Sequence, residues 1–127
     1  MTRKILKNRR PCITQKFAIG KERVLYLSVD DERAPSEVFI RIKGESGSEK
    51  VTAFDIVARL MSLALQEGVP LSAIASCLEG TRSIPSGAVR GDEQIKFCTG
   101  TFDLIGRHLL IRYAGREDLA HVKETKA

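Results

Sequence analysis

The stretch VFIRIKGESGSEKVTAFDIVARLMSLALQEG, residues 38–68, changes its hydrophobic period partway along. In its first part Val38, Ile40 and Ile42 alternate with Phe39, Arg41 and Lys43, the two-residue repeat of a strand with one buried face. From Val51 to Glu67 the clearly polar positions are Thr52, Asp55, Arg59, Ser62, Gln66 and Glu67. Four of them, Asp55, Arg59, Ser62 and Gln66, recur at steps of four, three and four, which draws one narrow polar stripe on a helix. The rest of that helix is apolar nearly all round, through Phe54, Ile56, Val57, Leu60, Met61, Leu63 and Leu65, so it needs cover on several sides. Asp55 and Arg59 stand four apart and can pair. A half-buried strand leading into such a helix marks a mixed α and β architecture.

Toward the N-terminus, CITQKFAI at 12–19 and RVLYLSVD at 23–30 show the same alternation and are joined by the short connection GKE; DERAPS joins the second to EVFIRIK. This is a three-stranded antiparallel meander. Toward the C-terminus, Gly68 is placed to cap the long helix and Pro70 to open the next. PLSAIASCLEG, 70–80, puts Leu71, Ile74, Cys77 and Leu78 on one apolar face, with Cys77 read as core filler. Residues 81–96 read as a loop. Phe102, Ile105, Leu109 and Leu110 then mark a third helix, with Thr99 or Thr101 as its cap and Asp103 in its first turn. The expected fold is α+β: a three-stranded antiparallel meander followed by three helices packed on one face of the sheet. The expected divisions are a basic arm at 1–10, a domain at 11–113 and a polar, mobile tail at 114–127.

Of the 127 residues 43% are hydrophobic and 29% charged, a globular composition in a chain long enough to fold without disulfides or metal. No apolar run is long enough to span a membrane, and the N-terminus lacks a signal-peptide core, so a cytosolic protein with no membrane partner is expected. Cys12, Cys77 and Cys98 are dispersed and odd in number; with only His108 and His121 beside them they suggest neither a disulfide framework nor a zinc site. The net charge of +5 resides in the first ten residues, where Arg3, Lys4, Lys7, Arg9 and Arg10 meet no acid, while residues 11–127 balance 16 basic against 16 acidic groups. That arm reads either as a contact for nucleic acid or an acidic partner, or as a solubilising terminus.

Two features carry candidate binding chemistry. KGESGS, with Lys43, Gly44, Ser46, Gly47 and Ser48, resembles a phosphate cradle before a helix, although it lacks P-loop spacing and Ser46 with Glu49 also matches a capping box. The outer sheet face is expected to carry Tyr26, Phe39, Arg41 and Lys43, a mixture suited either to stacking bases and neutralising phosphate or to an oligomer interface. DDE at 30–32 reads as a solvated hairpin tip. No nucleophile and base pair can be assembled, so no catalytic residue, metal site or cofactor is expected.

Several stretches together carry a resemblance. RPCITQKFAIG at 10–20, EVFIRIKGESGS at 37–48, SLALQEGVPLSAIASCLEGTR at 62–82, PSG at 85–87 and TGTFDLIGRHL at 99–109 resemble, in order and spacing, the TSCPD domain at the C-terminal end of adenosylcobalamin-dependent ribonucleotide reductases. Against the family's Thr-Ser-Cys-Pro-Asp motif, whose cysteine is associated with metal, this chain has Thr99, Gly100, Thr101, Phe102 and Asp103. Threonine replaces the cysteine and Cys98 is displaced by three residues, so no metal role transfers. The reductase's catalytic barrel and redox cysteines have no counterpart. The resemblance implies a stand-alone, non-catalytic module: an oligomeric accessory or regulatory protein of nucleotide metabolism, most simply a dimer. A nucleotide, nucleotide-signal or nucleic-acid binder and a reductase subunit acting in trans are the alternatives.

Overall fold

The computed structural model describes residues 6, 8, 10–30, 34–44 and 47–123. Its elements are β1 (Cys12–Ile19), β2 (Arg23–Asp30), β3 (Val38–Ile42), α1 (Glu49–Gln66), α2 (Leu71–Ser76), β4 (Gly87–Arg90), β5 (Phe97–Cys98) and α3 (Thr101–Ala114), followed by a 3-10 turn at Glu117–Leu119. The strands form one five-stranded antiparallel sheet in the order β3-β2-β1-β4-β5. The meander is as the alternation predicts, but the sheet has two more strands, and both fall where a loop and a helix start were expected. With four and two residues, β4 and β5 are too short to show a period; pairing of Ala18 with Arg90 and Ile19 with Val89 sets β4 beside β1, and pairing of Gly87 with Cys98 and Ala88 with Phe97 sets β5 beside β4.

One sheet face is apolar and buried: Phe17, Ile19, Leu25, Leu27, Val29, Val38, Ile40 and Ile42 are at most 7% exposed. α1 packs along β3, and α2 packs on α3. Phe54 of α1 stacks on Phe102 of α3, with ring centroids 4.7 Å apart, and the His108 ring of α3 meets Phe17 of β1 edge-on. The polar stripe of α1 divides. Asp55 and Arg59 pair at 3.5 Å in solvent, whereas Ser62 and Gln66 are buried against the outer edge of β3. There Ser62 Oγ accepts the Val38 N–H at 2.8 Å and Gln66 Nε2 donates to the Ser36 carbonyl at 3.1 Å. These two side chains engage the start of that edge, at Val38 and Ser36, where the backbone lies under a helix.

Three local expectations are corrected. Ser48 caps α1, its Oγ accepting the Val51 N–H, so the cap is not built on a Ser46 and Glu49 box; Ser46 itself lies outside the described residues. The cap of α3 is Gly100 rather than a threonine, and Asp103 reaches back to the Thr99 N–H at 2.9 Å. Cys77 is exposed, because α2 ends at Ser76 and the helical stripe does not extend to it; Ala75 is the fully buried residue there. The stretch beyond Ala114 turns at Gly115, in left-handed geometry, and returns to the β4–β5 connection. His121 and Val122 donate their N–H groups to the Gln94 carbonyl, and the Lys96 N–H donates to His121 Nδ1. Among the described residues no helix is long and apolar enough to cross a membrane.

Gly106 brings α3 against the end of α2. A Cβ there would stand 2.5 Å from the Glu79 nitrogen and 2.7 Å from the Ala75 carbonyl oxygen, distances no side chain tolerates. Gly106→Ala is therefore expected to destabilise the fold by about 1–3 kcal/mol through overpacking, despite alanine's better helix propensity. Urea unfolding followed by circular dichroism measures this, and a stabilised variant would show that the two helices do not meet.

Candidate functional site

The antiparallel registers of β1, β2 and β3 set out two cross-strand rows on the sheet's other face. Lys16 opposes Tyr26, which opposes Arg41; Thr14 opposes Ser28, which opposes Phe39. The rows are two residues apart along each strand, or about 7 Å. In the first, the Lys16 ammonium lies 5.9 Å and the Arg41 guanidinium 5.8 Å from the Tyr26 ring centroid, so one phenol holds two cations from either side. In the second, the Thr14 and Ser28 hydroxyls are hydrogen-bonded at 2.8 Å, and Phe39 stands 50% exposed. Thr14, Tyr26, Ser28, Phe39 and Arg41 line a depression of about 390 Å³ between the rows. An exposed ring, a hydroxyl pair and the Arg41 cation around one shallow depression, with Lys16 across the Tyr26 ring, suit a flat ring carrying an anionic group.

Of the residues singled out from sequence, Tyr26, Phe39 and Arg41 are thus brought together. Lys16, Thr14 and Ser28 were not foreseen, although the short 20–22 connection implies the β1–β2 register that places them. Lys43 lies past the end of β3, exposed and outside the depression. Gly44, Gly47 and Ser48 form the connection into α1, where Gly47 takes a φ of 81° and the Ser48 hydroxyl is engaged in capping. The cradle residues and the sheet face are therefore separate features. Of the basic arm, Arg3, Lys4, Lys7 and Arg9 lie outside the described residues, and Arg10 forms a two-pronged ion pair with Glu37.

Sequence gave no hint of a second feature, a polar cavity of about 820 Å³ between α3 and the β4–β5 connection. His108 and Asp92 lie in its wall. His108 Nδ1 is 3.0 Å from Asp92 Oδ2, while Asp92 Oδ1 accepts the N–H groups of Gln94 and Ile95. Burial alone pushes the Asp92 carboxyl up, but the hydrogen bonds from His108, Gln94 and Ile95 outweigh it and leave the acid stronger than an ordinary aspartate. The pair braces the β4–β5 connection to α3. The cysteines offer no comparable centre: Cys12 and Cys77 are exposed and Cys98 is buried on β5. Burial, assisted by the nearby Asp103 charge, pushes the Cys98 thiol up and makes it a poor nucleophile. Among the described residues no group of three or more His, Cys, Asp or Glu side chains is placed to hold a metal ion.

Residues 1–113 match the family model of the TSCPD domain. The chain is 37% identical over 128 residues to a vitamin B12-dependent ribonucleotide reductase of Bradyrhizobium diazoefficiens, a match covering 98% of this chain and 10% of the reductase. It is 36% identical to the enzyme of that description from Agrobacterium fabrum, covering 94% of this chain and 9% of the enzyme, and 31% identical to that of Rhodopirellula baltica, covering 98% and 12%. The chain thus spans about a tenth of the length of these curated relatives. No solved structure gives a significant match.

Because the Asp92 carboxyl is a stronger acid in the fold than in the unfolded chain, it adds stability above its ordinary pKa and loses it as pH falls through the lower, folded value. Asp92→Asn is expected to melt below the unsubstituted protein at neutral pH and to approach it at the acid end. Thermal melts from pH 7 to pH 3 test this; parallel curves would remove the Asp92 charge from the account.

Proposed function

The chain belongs to the TSCPD domain family, and from that membership we propose that it is a non-catalytic binding module serving nucleotide metabolism alongside ribonucleotide reduction. The observation that carries this reading is the pair of rows on the open sheet face. Phe39 offers a ring on which a base stacks, the Thr14 and Ser28 hydroxyls stand where a sugar would lie, and Arg41 with Lys16 supplies charge for phosphate. The strands beneath are hydrogen-bonded to each other, so these groups are held in place before a ligand arrives. The module accordingly acts by binding a nucleotide, whether metabolite or signal, with no bond made or broken by its own side chains.

A second reading, a subunit that completes a reductase in trans, draws support from the 98% of this chain that aligns with the Bradyrhizobium reductase. In that case the open face meets protein, where exposed aromatics and arginine also serve. Co-purification with a barrel-bearing reductase chain distinguishes it from the first.

Native mass spectrometry of the purified protein, followed by titration with nucleoside mono-, di- and triphosphates, tests the primary reading. Binding is expected to weaken by about tenfold or more in Arg41→Ala, in keeping with loss of a charged hydrogen bond of about 1.5–3 kcal/mol, and to weaken in Phe39→Ala. Removal of residues 1–9 is expected to leave it unchanged. No nucleotide binding, or binding indifferent to Arg41 and Phe39 but abolished by removing the arm, would overturn the assignment to the sheet.

A further inference from the structure

The polar cavity between α3 and the β4–β5 connection contains more than a structural brace. Gln15 in its wall shares a side of β1 with the buried Phe17 and Ile19, so the cavity opens on the opposite side of the sheet from the Tyr26, Phe39 and Arg41 depression. His108 is 6% exposed, and its two ring nitrogens differ in what they meet. Nδ1 faces the Asp92 carboxylate, which is ionised at neutral pH and can only accept, so Nδ1 carries a proton. Nε2 makes no hydrogen bond to a described residue, yet it is not among the partnerless side-chain atoms sealed from solvent, which are the Nε atoms of Arg23 and Arg107. In a side chain that lines the cavity, Nε2 is therefore the atom left open to it. A carboxylate fixes the ring and its tautomer from behind, and the free nitrogen is presented in front.

We propose that this cavity binds a small sugar phosphate, its phosphate at His108 Nε2, Arg112 and Lys123 and its hydroxyls along Gln15, Glu93 and Gln94. Arg112 stands one turn beyond His108 on the same face of α3, and among the described residues it pairs with no acid. Lys123 enters from the segment that returns past Gly115; its ammonium donates to the Glu117 carbonyl, a neutral partner, so its charge is also uncompensated. Asp92 does not stand free to repel an anion, because its oxygens are taken by His108 and by the Gln94 and Ile95 N–H groups. Nε2 suits either form of a phosphate: it accepts from a protonated oxygen or, once protonated itself, donates to a charged one while Asp92 supports the imidazolium. The remaining lining favours a hydroxylated body. Gln15 Nε2 donates to the Gly91 carbonyl, which leaves its Oε1 to accept, and Glu93 is an exposed carboxylate with no cation upon it. No phenylalanine or tyrosine lines the cavity, so a base has no ring to stack on, whereas about 820 Å³ is ample for a sugar. This site is separate from the nucleotide face and does not depend on it.

Calorimetric titration of the full chain with inorganic phosphate and with ribose 5-phosphate, together with proton–nitrogen correlation spectra of the histidine rings, is the test. The sugar phosphate is expected to bind with a Kd below about 1 mM and more tightly than phosphate alone. The His108 Nε2 resonance should move on binding, and in the neutral ring the proton should reside on Nδ1. Arg112→Ala, at an exposed position, should weaken both ligands by about tenfold or more with an unchanged circular dichroism spectrum. His108→Asn, whose amide can keep the bond to Asp92 while Nε2 is lost, should weaken both as well. Glu93→Ala should weaken the sugar phosphate and spare inorganic phosphate. Absence of binding overturns the proposal. So does binding that leaves Nε2 unmoved, that survives Arg112→Ala, or that is lost on Arg41→Ala instead, which would put the phosphate on the sheet face. Equal effects of Glu93→Ala on the two ligands would overturn the assignment of the hydroxyls. Nucleotide binding at Arg41 and Phe39 is read with different variants, so the two proposals fail separately.

Discussion

The carboxylate of Asp103 is the junction from which the helical half of this domain hangs. It is completely buried, which for a charged group costs several kcal/mol unless every lone pair is engaged. One oxygen accepts the Gly80 N–H at 2.7 Å, the other the Thr99 N–H at 2.9 Å, and the Arg107 guanidinium stands 3.5 Å away. A single side chain therefore ties the turn after α2, the exit of β5 and the first turn of α3. That tie sets the spacing at which Gly106 can slide against α2, and it places the His108 ring over Phe17. In this chain the last position of the family's five-residue motif thus has an architectural task. The position aligned with the motif's cysteine is held by Thr101, which is buried.

The sheet divides the labour of the molecule. Its apolar face is sealed by α1 and α3, and its other face is composed of side chains whose positions are set only by strand register. The candidate surface therefore costs the core nothing: Tyr26, Phe39 and Arg41 alternate with Leu25, Leu27, Ile40 and Ile42, so each strand serves both faces at once. α1 is divided in a similar way, with Phe54 and Met61 inward, Ser62 and Gln66 toward a strand edge, and a third side left to water.

How far this could be read from the residues follows from length. The first three strands and α1 repeat their pattern for long enough to declare it, and the parity of β3 correctly grouped Phe39 with Arg41. β4 and β5 could not be read, because strands of four and two residues owe their existence to pairing, β4 with β1 and β5 with β4, and not to their own composition. Cys98 belongs to such a strand, which is why its side chain is fixed by the sheet and not by the helix that follows. The pairing of Asp92 with His108 joins a loop to a helix sixteen residues away, a contact no local pattern encodes. Ser62 and Gln66 were visible as a stripe, but its direction depended on where the edge of β3 would lie.

That edge has a further meaning. A sheet with an open border is a template on which another strand can grow, and copies of one chain added in this way make fibres. Here the Ser62 hydroxyl and the Gln66 amide engage the start of one border, at Val38 and Ser36, and the strand at the other border, β5, is two residues long with Phe97 stacked on the His121 ring at 3.8 Å. Strand addition is thereby blunted at the start of β3 and at β5, the two ends of the strand order.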